Sequence, residues 1–249
     1  MNLSSHNATY SATAGDLRLW RIDSDRKPKT HVTLRLAQAA RAAVMRVAQA
    51  QYGSPRLPES LHGPSRGETP HRHAYWLPCD LDLDGRLDHL AVHVPGGLCA
   101  DGAALLDQLT GLHLDRHGPL PLMPVTTDRA IATIAGPARL WVSAVPFIGA
   151  LNQMRENGRQ RPGLDALSQL RTELGRLGRP VPKVEIAPLP APQSRIDGFL
   201  RGPRATTRRP AEPATGYFAL AFSEPFNGPL AAGFGAHFGL GRFQPSTCK

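Results

Sequence analysis

Glycine and proline cut this chain into short pieces. The 249 residues hold 24 of each, and apolar periodicity between them lasts only a strand or a few helical turns. Interior proline costs a helix about 3 kcal/mol and glycine about 1 kcal/mol, so a helical bundle or coiled coil is excluded. What remains is a fold of short strands and helices joined by many turns. Hydrophobic residues make up 41% and charged residues 20%, which supports a buried core and excludes a wholly disordered chain. No run of 18 apolar residues occurs, so no membrane span is expected. The length fits two domains of about 100–130 residues each.

Residues 1–16 read as a disordered leader with neither the basic nor the apolar region of a secretory signal. Cys79, Cys99 and Cys248 have no CxxC spacing and leave one unpaired, against a disulfide scaffold or zinc knuckle and for the reducing cytoplasm. Leu17–Ile22 alternates as a strand. Residues 33–50 carry a helical stripe of Leu34, Ala37, Val44 and Ala48. A Pro/Gly/Ser loop fills 51–70. His71–Pro78 and Leu87–Pro95 read as paired strands, 101–112 as a short helix and 120–134 as a further strand. This β-α-β-β-α-β order is the ferredoxin-like arrangement. The pattern recurs with strands at 139–147, 183–187 and 217–222 and a leucine-striped helix at 164–177. The expected class is therefore α+β, with two tandem ferredoxin-like (RRM-like) domains over 17–135 and 136–249.

Charge narrows the partner. Lys+Arg total 29 against 20 acidic residues, a net +9. Only Lys27, Lys29, Lys183 and Lys249 are lysine. A G+C-rich genome accounts for that ratio, but the excess positive charge suits a polyanion. Arginines cluster at Arg155, Arg159 and Arg161, and at Arg195, Arg201, Arg204, Arg208 and Arg209. Each cluster reads either as a solvated loop or as a phosphate-tracking groove.

Three constellations bear chemistry. In the hairpin, a turn centred on residue 83 pairs His73 with His93 and puts His71, His73, Tyr75, His89 and His93 on one polar sheet face. Leu90, Val92 and Val94 then face the core. Imidazoles suit RNA cleavage: one takes the 2′-OH proton, another protonates the departing 5′-oxygen, and no metal or cofactor is required. The alternative is a set of ordinary polar residues. The turn Asp80-x-Asp82-x-Asp84-Gly85 resembles a calcium loop, but position twelve is Ala91 and both flanks read as strands, so an acidic turn is expected. A hydrolytic metal centre joining these carboxylates to the histidines is a further reading. The third constellation is Gly233, Gly235, His237, Gly239, Gly241 and Arg242, a loop whose backbone can approach a phosphate closely. Tight packing is its alternative. His31-Val-Thr33 is half of a paired phosphoesterase signature with no second copy, which excludes that class.

Taken together, the residues resemble a known family. The segments H-x-H-A-Y-W-L-P-x-D…D-G-R-x-D-H, A-R-L-W-V-S-A-V-P-F and G-P-L-A-A-G-F-G-A-H-F-G-L-G-R-F resemble the RAMP superfamily of CRISPR-associated proteins. More narrowly, they resemble the C-terminal, repeat-processing half of the fused type I-G (formerly I-U) subunit, over about Trp20 to Phe243. The resemblance implies metal-independent cutting of pre-crRNA repeats to mature crRNA, with His71 and His73 catalytic. It also implies RNA contacts by Gly233, Gly235, His237, Gly239, Gly241 and Arg242, with Arg195, Arg201, Arg204, Arg208 and Arg209 adding charge. The family's handle-binding half has no counterpart here, which leaves a stand-alone protein, a split subunit or a fragment. Other subunits of a type I effector complex are possible partners. A non-catalytic crRNA-binding subunit and a metal-dependent phosphohydrolase are the alternative functions.

Overall fold

The structure, a computed structural model, describes residues 16–54, 57–62, 73–155, 157–177, 181–200 and 210–246. The expected leader up to residue 15, His71, Arg201, Arg204, Arg208, Arg209 and Cys248 lie outside the described residues. The first half runs β1 (Leu17–Ile22), α1 (Thr33–Tyr52), α2 (Glu59–His62), β2 (Tyr75–Cys79), β3 (His89–His93), α3 (Ala100–Asp107), β4 (Gly111–Leu114) and β5 (Gly118–Val125). Its antiparallel sheet has the order β2-β3-β1-β5-β4. Without the edge strand β4, that is the strand order of a ferredoxin-like βαββαβ unit.

Helix α1 forms because Leu36, Ala37, Ala40, Ala43, Val44 and Ala48 recur at three- and four-residue steps and are all buried. It ends at Gly53, whose φ of 66° suits a left-handed cap. α1 and α3 cover one face of the sheet, built from Trp20, Ile22, Trp76, Leu90, Val92, Leu120 and Leu122.

The second half runs α4 (Asp128–Ala135), β6 (Ala138–Ser143), β7 (Phe147–Asn152), α5 (Ala166–Gly175), β8 (Val184–Leu189), α6 (Gln193–Leu200), β9 (Pro213–Phe226), β10 (Leu230–Ala231) and β11 (Arg242–Pro245). Its sheet has the order β10-β11-β6-β9-β7, and β8 pairs another stretch of the long β9. The path β8-β9-β6-β11 repeats the order of the first sheet. Here, however, the second crossover helix is replaced by the glycine-rich segment, which carries a single 3₁₀ turn at Ala236–Phe238. α5, capped by Asp165 accepting the Ser168 amide at 2.9 Å, packs Leu170 and Leu174 on Trp141, Phe147 and Phe218. The chain is thus α+β with two tandem ferredoxin-like units.

Some segments differ from expectation. The expected strand at 120–134 ends at Val125, and its remainder becomes α4. The helix expected to reach residue 112 stops at Asp107, leaving Gly111–Leu114 as an edge strand. The expected loop at 51–70 carries the helical turn α2.

The two halves close on each other. Leu17, Leu19, Tyr75, Leu77, Cys79 and Ala91, on the second face of the first sheet, pack with Ile134, Ala135, Ala231 and Ala236. Burying each large apolar side chain there contributes about 1.5–3 kcal/mol. The first sheet is therefore covered on both faces.

Candidate active site

That closure corrects the expected polar sheet face. The register pairs Tyr75 with His93, Leu77 with Ala91 and Cys79 with His89. The hairpin is thus centred on residue 84, one position later than expected, and odd residues still share a face because pairing moves in steps of two. Leu77, Cys79 and Ala91 lie on it fully buried, and His93 is 2% exposed. Among the described hairpin histidines, His89 does not join His73 and His93. His89 sits at the far end of the hairpin with Nδ1 2.9 Å from Asp88 Oδ1.

A different partner reaches His73. The His237 ring from the glycine-rich segment stacks on His73 with centroids 3.9 Å apart and planes within 8°. Its other contact is Tyr75, at 4.0 Å and 28°. Such ring pairs add about 0.5–1.5 kcal/mol each beyond burial. His237 Nδ1 lies 3.2 Å from the Ala74 carbonyl. A carbonyl only accepts, so this bond places the proton on Nδ1 and makes Nε2 the basic nitrogen of the neutral ring. Both histidines are half-buried at the rim of the interface. Behind them Tyr75, His93, Pro95, Leu177, Pro229 and Ala231 enclose a cavity of about 20 Å³.

Local structure on both sides holds the stack. Ala74 donates to the Ser60 carbonyl at 2.9 Å, tying the entry of β2 to α2. Gly235 and Gly239, at φ 70° and 82°, bracket the 3₁₀ turn that carries His237. A Cβ at Gly239 would stand 2.9 Å from Thr33 Cγ2 and 3.0 Å from Pro78 Cδ, so this glycine lets the turn lie directly against β2 and the start of α1.

The glycine-rich segment spends its polar groups inside the protein. The amides of Phe234, Ala236, Phe238, Gly239, Leu240 and Gly241 donate to the carbonyls of Ile148, Gly233, Gly235, Ala236, Gly235 and Pro146 respectively. A phosphate cradle needs converging amides, and these are already used. Gly239, Gly241 and Arg242, expected to contact phosphate, lie packed inside the protein here. Gly239 and Gly241 are buried in packing. Arg242 is 2% exposed, with its guanidinium near the buried Cys79 thiol. Burial raises that thiol above its usual range, against the pull of Arg242. Gly233 and Gly235 remain half-buried at the rim.

Of the arginines, Arg195 lies over the Tyr217 ring with Cζ 5.2 Å from its centroid. Arg155 and Arg161, with Asn157 and Pro162, line an open groove of about 650 Å³. Leu200, the last described residue before the segment of Arg201, Arg204, Arg208 and Arg209, packs in one cluster with Phe234 and Leu240 of the glycine-rich segment. The His/Asp metal centre is not assembled among the described residues. His73 and Asp80 stand at opposite ends of β2, on the order of 20 Å apart at about 3.3 Å per residue.

The meeting of His73 and His237 was not foreseen, and no local signal marks it. Tyr75 shares the face of His73, as strand parity requires, and its stack on His237 has no signal in the sequence. No family model matches the chain, and no curated protein does. Solved structures similar to it include a Cas6 product complex, at TM-score 0.44 and 14% identity over 91% of this chain and 97% of that one. Another is a Cas6-related protein from Pyrococcus furiosus, at TM-score 0.47 and 12% identity over 92% and 97%. A third is Csf5, a type IV Cas6 crRNA endonuclease, at TM-score 0.42 and 12% identity over 93% and 98%. No helix among the described residues is long and apolar enough to cross a membrane.

Proposed function

We propose that the chain is a CRISPR repeat endoribonuclease that cuts pre-crRNA by metal-independent attack of a ribose 2′-OH on the adjacent phosphate. The observation that carries this reading is the stacked His73–His237 pair at the interface rim. The three sequence segments that resemble the RAMP superfamily support it, because two of them supply these two histidines. The net charge of +9 suits an RNA partner.

In this reading His237, oriented by the Ala74 carbonyl, takes the 2′-OH proton at Nε2. His73 donates to the departing 5′-oxygen. An acid and a base acting together need one ring protonated and the other neutral, and the stack holds the two side by side. His71 joins the site as the other member of H-x-H, and Arg201, Arg204, Arg208 and Arg209 supply phosphate contacts. Mature crRNA is the product, and other subunits of a type I effector complex are proposed partners.

The test is incubation with a synthetic repeat RNA from the same genome's array in excess EDTA. Cleavage leaving a 2′,3′-cyclic or 3′-phosphate supports the proposal. Tight binding without cleavage would make the chain a crRNA-holding subunit. Cleavage only after added metal would make it a metal-dependent phosphohydrolase.

A further inference from the structure

The turn joining β2 to β3 takes no part in that site. Asp80, Asp82 and Asp88 each present a carboxylate oxygen there, and the three oxygens lie within 4.8 Å of one another. Local bonds occupy one oxygen of each. Asp80 Oδ2 accepts from the Gly85 amide at 2.9 Å, and Asp82 Oδ1 from the Asp84 amide at 3.2 Å. Asp88 Oδ1 accepts from the Leu81 amide at 3.0 Å and faces His89 Nδ1.

Asp80 is the decisive residue. It is 8% exposed, and its Oδ1 is buried with no hydrogen-bond partner. A buried carboxylate oxygen without a donor is costly, and two neighbouring carboxylates raise that cost. Asp80 Oδ1 receives no bond from the Arg86 guanidinium, whose Nη1 donates to the Lys27 carbonyl at 3.1 Å. A cation at the common focus of the three oxygens would satisfy the orphaned Oδ1 and offset the repulsion.

We propose that Asp80, Asp82 and Asp88 bind one divalent, oxygen-seeking cation, calcium by the number and flexibility of its ligands. The donors are all carboxylate oxygens. Three protein carboxylates in an irregular turn suit calcium, whose coordination is flexible, whereas magnesium demands a near-octahedral shell and is usually held by one or two carboxylates with several waters. The geometry is not that of an EF-hand. The third ligand is Asp88 rather than Asp84, whose Oδ1 accepts the Arg86 amide at 2.7 Å. Asp80 follows the end of β2 and Asp88 precedes β3, so the ion staples the strands that present Tyr75 and His93. The opposite end of β2 enters the histidine site, so the ion has a structural part and none in the proposed chemistry.

The test is calorimetric titration of the full chain, stripped with EDTA and dialysed, with CaCl₂ and separately with MgCl₂. Melting curves are taken in CaCl₂ and in NaCl of matched ionic strength. The expected result is one saturable calcium site, tighter than for magnesium, and a melting temperature raised by calcium but not by sodium. Asp82→Asn, whose side chain is exposed and outside the core, weakens binding by at least about tenfold. Asp80→Asn removes it, and Asp84→Asn leaves it intact. No saturable heat and no calcium-specific melting shift, or affinity unchanged in Asp82→Asn, would overturn the site. Tighter magnesium binding would overturn the assignment of calcium. RNA cleavage is not read here, so the fate of this site and that of the proposed nuclease are separate.

Discussion

Gly239→Ala separates a packing role for the glycine-rich segment from a phosphate-binding one. At φ 82° an alanine pays the left-handed penalty of about 1–2 kcal/mol. Its Cβ also lies 2.9 Å from Thr33 Cγ2 and 3.0 Å from Pro78 Cδ, well inside ordinary contact. Overpacking of that kind adds about 1–3 kcal/mol. Gly53→Ala is the internal control, because its φ is also positive, at 66°, and no atom lies within 4 Å of the added Cβ. The control should lose only the conformational part. For a chain of this size 1 kcal/mol moves the melting temperature by roughly 2–4 °C. Gly239→Ala should therefore melt roughly 4–20 °C below wild type, and Gly53→Ala only about 2–8 °C below. The assay is thermal unfolding by circular dichroism, with RNA affinity measured on the same preparations below the transition. Equal melting losses in the two variants would refute the packing argument. So would a Gly239→Ala protein that melts like wild type and has lost RNA affinity, the result a phosphate cradle predicts.

Two further outcomes follow from charge. Replacing Arg204, Arg208 and Arg209 together with alanine should weaken RNA binding and flatten its salt dependence by about 0.7 log units per lost contact on a single strand; filter binding across a salt series reads this directly. Burial first, and then the Asp82 and Asp88 carboxylates, hold Asp80 above its ordinary value of 3.8, against the Gly85 amide. A folded-state value above the unfolded one gives stability that is present below the unfolded value and lost as pH rises through the folded one. In EDTA at neutral pH, Asp80→Asn should therefore melt higher than wild type, and the gain should vanish near about pH 3. A lower melting temperature at neutral pH would show that the ionised Asp80 stabilises the turn without a cation.

Much of the fold is legible in the sequence where one periodicity dominates. The stripe Leu34, Ala37, Val44, Ala48 announces α1, and the alternation of Leu17–Ile22 announces β1. Parity also fixed which hairpin residues share a face. The nine residues from Asp80 to Asp88 form a wide connection rather than a tight turn, and that shifted the register by one turn position. Histidines at alternate positions suggest a polar face, but Leu77, Cys79, Ala91 and His93 on that face are buried. The run Tyr75–Cys79 is apolar on both parities, as a strand covered on both faces is, whereas the odd positions of His89–His93 are histidine apart from Ala91. α6 escaped notice because prolines flank it and Gly198 interrupts it, yet a Cβ at Gly198 would press the His31 side chain at 3.3 Å. The candidate site was half legible. Each histidine was singled out, but their meeting spans 163 residues from Ala74 to His237 and depends on two sheets closing, which no local pattern encodes.

The central claim is that His73 and His237 act as one unit, and single-turnover cleavage of repeat RNA in EDTA tests it most directly. His73→Ala, His237→Ala and the double variant are compared at saturating protein, with RNA affinity measured alongside. Each single change should slow cleavage by roughly 10²-fold or more while affinity stays within a few-fold. The double variant should be no slower than the slower single, since an acid and base acting in one step are not additive. Wild-type cleavage by either single variant would contradict the account, as would a His237→Ala protein whose only defect is weaker RNA binding.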